Sequence, residues 1–95
     1  MGERLAVLPG SFDPLTKGHA SIIRRALRLF DHVIVAVTIN VRKSALFSVE
    51  ERTEMIRACF PDDDRLTIDS LNGLLATYAK ERGAVAIVRG LRGPS

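Results

Sequence analysis

The sequence predicts an α/β fold, a Rossmann-like open parallel sheet with helices on both faces, in the order β-α-β-α-β-α-β. Two observations carry this. Short apolar runs alternate along the chain with segments whose apolar residues recur at three- and four-residue spacing. Such alternation implies parallel strands joined by right-handed crossovers. The segments that follow the strands also carry glycine, histidine and cationic side chains, and in open α/β sheets ligands gather beyond the carboxyl ends of the strands.

Leu5-Ala6-Val7-Leu8 is the first apolar run, stopped by Pro9-Gly10, and suits a strand covered on both faces. Ile22, Ile23, Ala26, Leu27 and Phe30 then mark one face of a helix, with Arg24, Arg25 and Arg28 on its solvated side. Val33 to Thr38 is rich in β-branched residues and reads as the second strand. Ser48 and Glu51 have the spacing of a capping box. The helix they open carries Met55, Ile56 and Cys59 and should end before Pro61. Within it, Cys59 reads as core filling. Asp62, Asp63 and Asp64 fall in a turn and read as solvent-exposed, not as a metal site. Leu66 to Ile68 is a weaker and shorter strand. Leu71, Leu74, Leu75 and Tyr78 mark a third helix, with Gly83 as its left-handed terminator. Ala84 to Val88 is a last, fully apolar strand.

Residues 1–95 are read as one domain or a piece of one. A net charge of +3 leaves nucleic acid open as a partner, but no basic run with interleaved aromatics supports it, and a phosphate-handling site accounts for the excess as well. Cys59 is the single cysteine, so no internal disulfide can form, in keeping with a reducing cytoplasm. The sequence predicts no signal peptide and no membrane span.

The segment after the first strand runs from Gly10 to His19 and leads into a helix. Such a loop offers backbone N–H groups and a helix dipole to an anion. Gly10 permits tight turning and close approach, Gly18 lets a ligand pass the first turn, and His19 aims a ring nitrogen at the same place. The dinucleotide fingerprint is missing, Lys17 precedes Gly18 where a P-loop needs the reverse order, and Ser11 sits in no nucleophile elbow. Cations follow two further strands, Arg42 and Lys43 after the second and Arg89 and Arg92 after the last. His32 reads as structural or exposed.

Gly10-Ser11-Phe12-Asp13-Pro14 followed by Thr16-Lys17-Gly18-His19 resembles the signature loop of the nucleotidyltransferase superfamily. With Thr16 where relatives carry His, and Arg89-Gly90-Leu91-Arg92 after the last strand, the chain is similar to the phosphopantetheine adenylyltransferases. Phe30 to Val33, Phe47 to Arg52 and the spacing of Lys43 fit the same branch, although Val41 stands where many relatives have Pro. The resemblance implies adenylyl transfer from ATP to 4′-phosphopantetheine, giving dephospho-coenzyme A and pyrophosphate in coenzyme A synthesis. It implies His19 as catalytic residue. Ser11, Lys43, Leu75 and Arg89 would bind the acceptor substrate. Gly10, Ser11, Phe12, His19, Gly90, Leu91 and Arg92 would bind the nucleotide. Mg²⁺ would come with the triphosphate and not on a protein carboxylate cage, and the assembly would be a homohexamer without nucleic-acid or membrane partners. Alternatives are a nucleotide-binding module without turnover and a sibling enzyme with another phosphate acceptor. The family also continues past its arginine hallmark, so a longer native protein is expected, or cover for the last strand from partners. All of this requires His19 and Arg89 to lie on the same rim of the sheet.

Overall fold

β1 (Leu5–Gly10) lies inside the sheet because both of its faces are apolar: Ala6, Val7 and Leu8 are buried. The computed structural model describes residues 3–39, 46–61 and 63–89. In chain order β1 is followed by α1 (Lys17–Leu29), β2 (His32–Thr38), α2 (Val49–Cys59), β3 (Leu66–Leu71), α3 (Leu75–Arg82) and β4 (Ala86–Ile87). The four strands are parallel in the order β3-β2-β1-β4. β1 pairs with β2 over its full length, Leu5 opposite His32 and Gly10 opposite Val37. Among the described residues β4 pairs with β1 at Ala6 and Val7, and the Val85 N–H just before it donates to the Leu5 carbonyl at 2.8 Å.

The period of two along the strands divides the core. Leu8, Val33, Val35 and Val37 point to one face, where they meet Ile23, Ala26 and Leu27 of α1 and Ile56 of α2. Val7, Ile34 and Ala36 point to the other, against Ala79 of α3, with Leu75 and Tyr78 at the edge of that cluster. Right-handed crossovers require this division, because the chain moves outward from β1 to β3 and then returns across β1 to β4. The reversal makes β1 and β4 the topological switch point, and both end at the same edge.

Four expectations need correction or sharpening. Cys59 is exposed, because the buried stripe of α2 runs through Val49, Arg52, Ile56 and Phe60 and passes beside it. β3 is six residues long and includes Leu71, where the sequence reading has a short strand and a helix beginning at that leucine. Its polar Asp69 is tolerated because the Tyr78 hydroxyl and the Arg82 guanidinium both donate to Oδ2, at 2.7 Å each. β4 is two residues long, and its flank is open: Val85 is 63% exposed and Ile87 40%. Asp64 is exposed, but Asp63 is partly covered and accepts from the backbone N–H of Arg65 at 3.0 Å. Asp62 lies outside the described residues. Other signals hold as read. Ser48 and Glu51 form the reciprocal capping box, and Gly83 ends α3 in the left-handed region at φ 75°. His32 is half-buried with Nε2 2.7 Å from the Thr67 hydroxyl.

Candidate active site

The turn after β1 is built around a phenylalanine that folds inward. Phe12 adopts φ 50° and is 1% exposed, so burial of its ring offsets the roughly 1–3 kcal/mol that a left-handed non-glycine residue costs. Gly10 makes this possible. A Cβ there would stand 2.9 Å from Phe12 Cε2 and 3.0 Å from Cζ. Gly10 is thus explained by the ring packed on it, a reason the sequence reading does not contain. Gly18 differs, since a Cβ would meet only the Thr16 hydroxyl at 3.6 Å, and nothing in the described packing demands glycine there.

α1 begins at the end of this turn with a capping box whose returning side chain is a histidine. The Thr16 hydroxyl accepts from the His19 N–H at 3.2 Å, and the Thr16 N–H donates to His19 Nδ1 at 3.1 Å. A glutamate normally closes such a box. Because a backbone N–H points at Nδ1, that nitrogen offers a lone pair, and the ring proton resides on Nε2. The ring also stands edge-on to Phe12, with centroids 5.0 Å apart and planes at 70°. Partial burial lowers its pKa below the ordinary 6.5. At neutral pH, His19 is therefore a neutral imidazole at a helix N-terminus with Nε2–H as its remaining donor.

Two residues that the sequence reading does not assign to the site hold this turn in place. The Asp13 carboxylate accepts the N–H of Leu46 at 2.8 Å and of Phe47 at 2.8 Å, tying the segment before α2 to the β1 turn. Arg52, 5% exposed, donates to the carbonyls of Ser11 at 2.8 Å, Thr38 at 3.2 Å and Ser48 at 3.3 Å. Its sequence signal is a charge in the stripe Val49–Arg52–Ile56, where periodicity demands an apolar side chain.

Ser11 is exposed at the turn, whereas Phe12 is buried as a whole residue. Arg89 follows β4 as an exposed residue. Val88 N–H donates to Val7 O at 2.8 Å, which sets Arg89 at the carboxyl edge beside the turn that holds His19, the common rim that the resemblance requires. Leu75 begins α3 at that edge too, half-buried against the core of the opposite face. Lys43, Gly90, Leu91 and Arg92 lie outside the described residues. Among the described residues, no three His, Cys, Asp or Glu side chains gather as a metal site, and no helix is long and apolar enough to cross a membrane. An open cavity of about 700 Å³ lined by Arg57, Phe60, Asp63 and Leu66 lies near the amino end of β3, away from this edge.

A profile of the cytidylyltransferase-like family matches residues 7–93. The chain belongs to that family. Cytidylyltransferase-like relatives include proteins named phosphopantetheine adenylyltransferase. One, from Anaeromyxobacter sp. (strain K), is 50% identical over 93 residues, 98% of this chain and 57% of the relative. Another, from Geobacter sulfurreducens, is 52% identical over 92 residues, 97% of this chain and 56% of the relative. The chain therefore spans somewhat more than half the length of these curated relatives. Among solved structures, the lipopolysaccharide core biosynthesis protein of Thermoplasma volcanium shares the fold at TM-score 0.70 and 22% identity, covering 90% of this chain and 73% of that one. A bifunctional NMN adenylyltransferase/ADP-ribose pyrophosphatase of Francisella tularensis, complexed with AMP and a manganese ion, superposes at TM-score 0.62 and 27% identity over 85% of this chain and 25% of its own. Both agree with the cytidylyltransferase-like sheet seen here.

Proposed function

We propose that this cytidylyltransferase-like chain carries the catalytic edge of a phosphopantetheine adenylyltransferase, which moves AMP from ATP to 4′-phosphopantetheine in coenzyme A synthesis. One observation carries the proposal. A histidine whose Nδ1 is occupied by the Thr16 N–H stands where the turn after β1 enters α1, in a chain about half identical to enzymes of that name.

In this reading an oxygen of the acceptor's phosphate forms the new bond to the α-phosphorus of ATP. The bond from that phosphorus to the bridging oxygen breaks, and pyrophosphate leaves with the electron pair. No covalent enzyme intermediate is required. Positioning two anions against their repulsion and stabilising charge on the α-phosphate are the tasks left to the protein. His19 Nε2–H donates to an α-phosphate oxygen. Its neutrality makes it a hydrogen-bond donor, so the fixed positive charge comes from Lys43 and Arg89 on the acceptor phosphate and from Arg92 near the nucleotide. Arg89 suits a two-pronged grip on phosphate. Ser11 and the Phe12 backbone contact the nucleotide in this reading, Gly90 and Leu91 are assigned to it by the family resemblance, and Leu75 offers apolar contact to the pantetheine arm. Mg²⁺ enters as part of the Mg-ATP substrate, where it neutralises triphosphate charge. The working enzyme is taken to be a cytoplasmic homohexamer.

The deciding assay supplies Mg-ATP and 4′-phosphopantetheine and follows dephospho-coenzyme A together with pyrophosphate. Product with this acceptor supports the proposal. Product only with a different phosphate acceptor assigns a sibling activity, and nucleotide binding without product assigns a binding module.

A further inference from the structure

We propose that Arg52 is a positioning residue for the nucleotide, acting through one peptide plane: by holding the Ser11 carbonyl inward it turns the Phe12 N–H toward the anion. The inference rests on the anion-turn reading above and extends it to a residue no contact with substrate would reveal. Three observations support it. The Arg52 guanidinium is buried, and among the described residues no carboxylate lies within ion-pair distance. A desolvated cation without a partner carboxylate is unfavourable by several kcal/mol, and an apolar side chain of similar volume would ordinarily pack there at less cost. Its acceptors are backbone carbonyls from three separate segments, Ser11 after β1, Thr38 at the end of β2 and Ser48 before α2, so one planar fork sets the distance between these elements. The Ser11–Phe12 peptide is trans, and in a trans peptide the carbonyl and the following N–H point in opposite directions.

With the Ser11 oxygen held at 2.8 Å from Nη1, the Phe12 N–H must face away from Arg52. No acceptor for it occurs among the described residues, although Phe12 is 1% exposed. A buried N–H lacking a partner is rare in folded proteins, and a phosphate oxygen would supply one. Without the guanidinium the peptide can rotate and present a carbonyl, which repels phosphate. The buried charge also lies one peptide away from the anion and attracts it.

The test uses the full chain, with Arg52→Lys, Arg52→Met and, as a control on the exposed side of the same helix, Arg57→Met. The first readout is the Phe12 amide resonance during titration with inorganic tripolyphosphate. In the unmodified chain this amide is expected to shift on binding. Arg52→Lys keeps the charge but not the three-way fork. It is expected to bind tripolyphosphate about 10- to 100-fold more weakly, with its α2 resonances in place and its Phe12 amide displaced before any ligand is added. Arg52→Met should lose at least as much, and Arg57→Met should match the unmodified chain. An Arg52→Lys chain with unchanged affinity and an unchanged Phe12 amide overturns the proposal. So does an unmodified chain whose Phe12 amide ignores tripolyphosphate, a result that decides the matter even if both replacements fail to fold. A chain that binds tripolyphosphate as described yet makes no dephospho-coenzyme A refutes the adenylyltransferase reading and leaves the role of Arg52 intact.

Discussion

His19 shows how a local helix signal and a chemical group can be the same atoms. The hydrogen bond that closes the N-terminal box of α1 also selects the tautomer, so the ring cannot accept a proton on Nδ1 without losing the Thr16 N–H. Its lowered pKa gives a signed consequence. A histidine that binds protons less readily when folded contributes stability in full above 6.5, its unfolded value, and that contribution is lost as pH falls through the folded value. Relative to a His19→Gln chain, the unmodified protein should therefore lose stability as pH drops below about 6.5, read as the difference between two urea midpoints across pH. A constant difference would show that the ring is not held neutral. For catalysis, His19→Ala should lower turnover about 100- to 1,000-fold, the usual effect of removing one transition-state donor, with a much smaller change in ATP affinity. Equal losses in both would mean that His19 only binds. Gly10→Ala tests the turn itself. The new Cβ would sit within 3.0 Å of a ring that is fully enclosed, and the overpacking should cost about 1–3 kcal/mol in chemical denaturation.

At the scale of elements, one carboxylate ties the polar side of α3 to β3, beside the apolar packing of Leu71 against Ala79 and Leu75. Asp69 takes both the Tyr78 hydroxyl and the Arg82 guanidinium, and Arg82 stacks over the Tyr78 ring at 4.9 Å. Burial, then the hydrogen bond and negative charge of Asp69, push the Tyr78 hydroxyl up to about 12, against the opposing effect of Arg82. Tyr78 is the only tyrosine in the chain, so ultraviolet titration of tyrosinate reads this contact directly. The transition should lie near 12 and return toward 10 when Asp69→Asn removes the charge. Since the group holds its proton more tightly when folded, its contribution to stability is present below pH 10 and lost as pH rises toward 12. This carboxylate also explains a limit of sequence reading. A strand containing Asp69 and Ser70 breaks the apolar pattern, so β3 seems to stop at Ile68 until the partners on α3 are known. Arg52 is hidden for the same reason, because a charge at a core position is explained only by carbonyls 41 and 14 residues away in sequence. What is legible is what short-range chemistry determines: the strands at Leu5 and Val33, the Ser48–Glu51 box, the Gly83 terminator and the glycine-rich turn before His19.

Across the whole molecule, the two sides of the site are joined with unequal strength. The turn bearing Ser11, Phe12 and His19 grows from β1, which is paired along its whole length with β2 and covered by helices on both faces. Arg89 follows β4, which among the described residues is paired with β1 at two positions, one of them the exposed Ile87, with exposed Val85 just before them. Local opening free energies follow burial and the number of hydrogen bonds that must break, so amide exchange should be slowest in Val33 to Val37 and much faster at Val85, Ile87 and Val88. Val88→Pro would extend this gradient. It removes the N–H that reaches Val7 O at 2.8 Å at the last point where β4 holds to β1, and leaves every contact of His19 untouched. The expected outcome is faster exchange confined to β4, with weaker binding of both 4′-phosphopantetheine and the nucleotide. We propose Arg89 for the acceptor and Gly90, Leu91 and Arg92 for the nucleotide, and all four follow β4 in the chain. The turn that carries His19 should keep slow exchange in the same variant, because it is anchored in the central pair of strands. Unchanged affinity for both ligands would show that the edge strand does not position these residues.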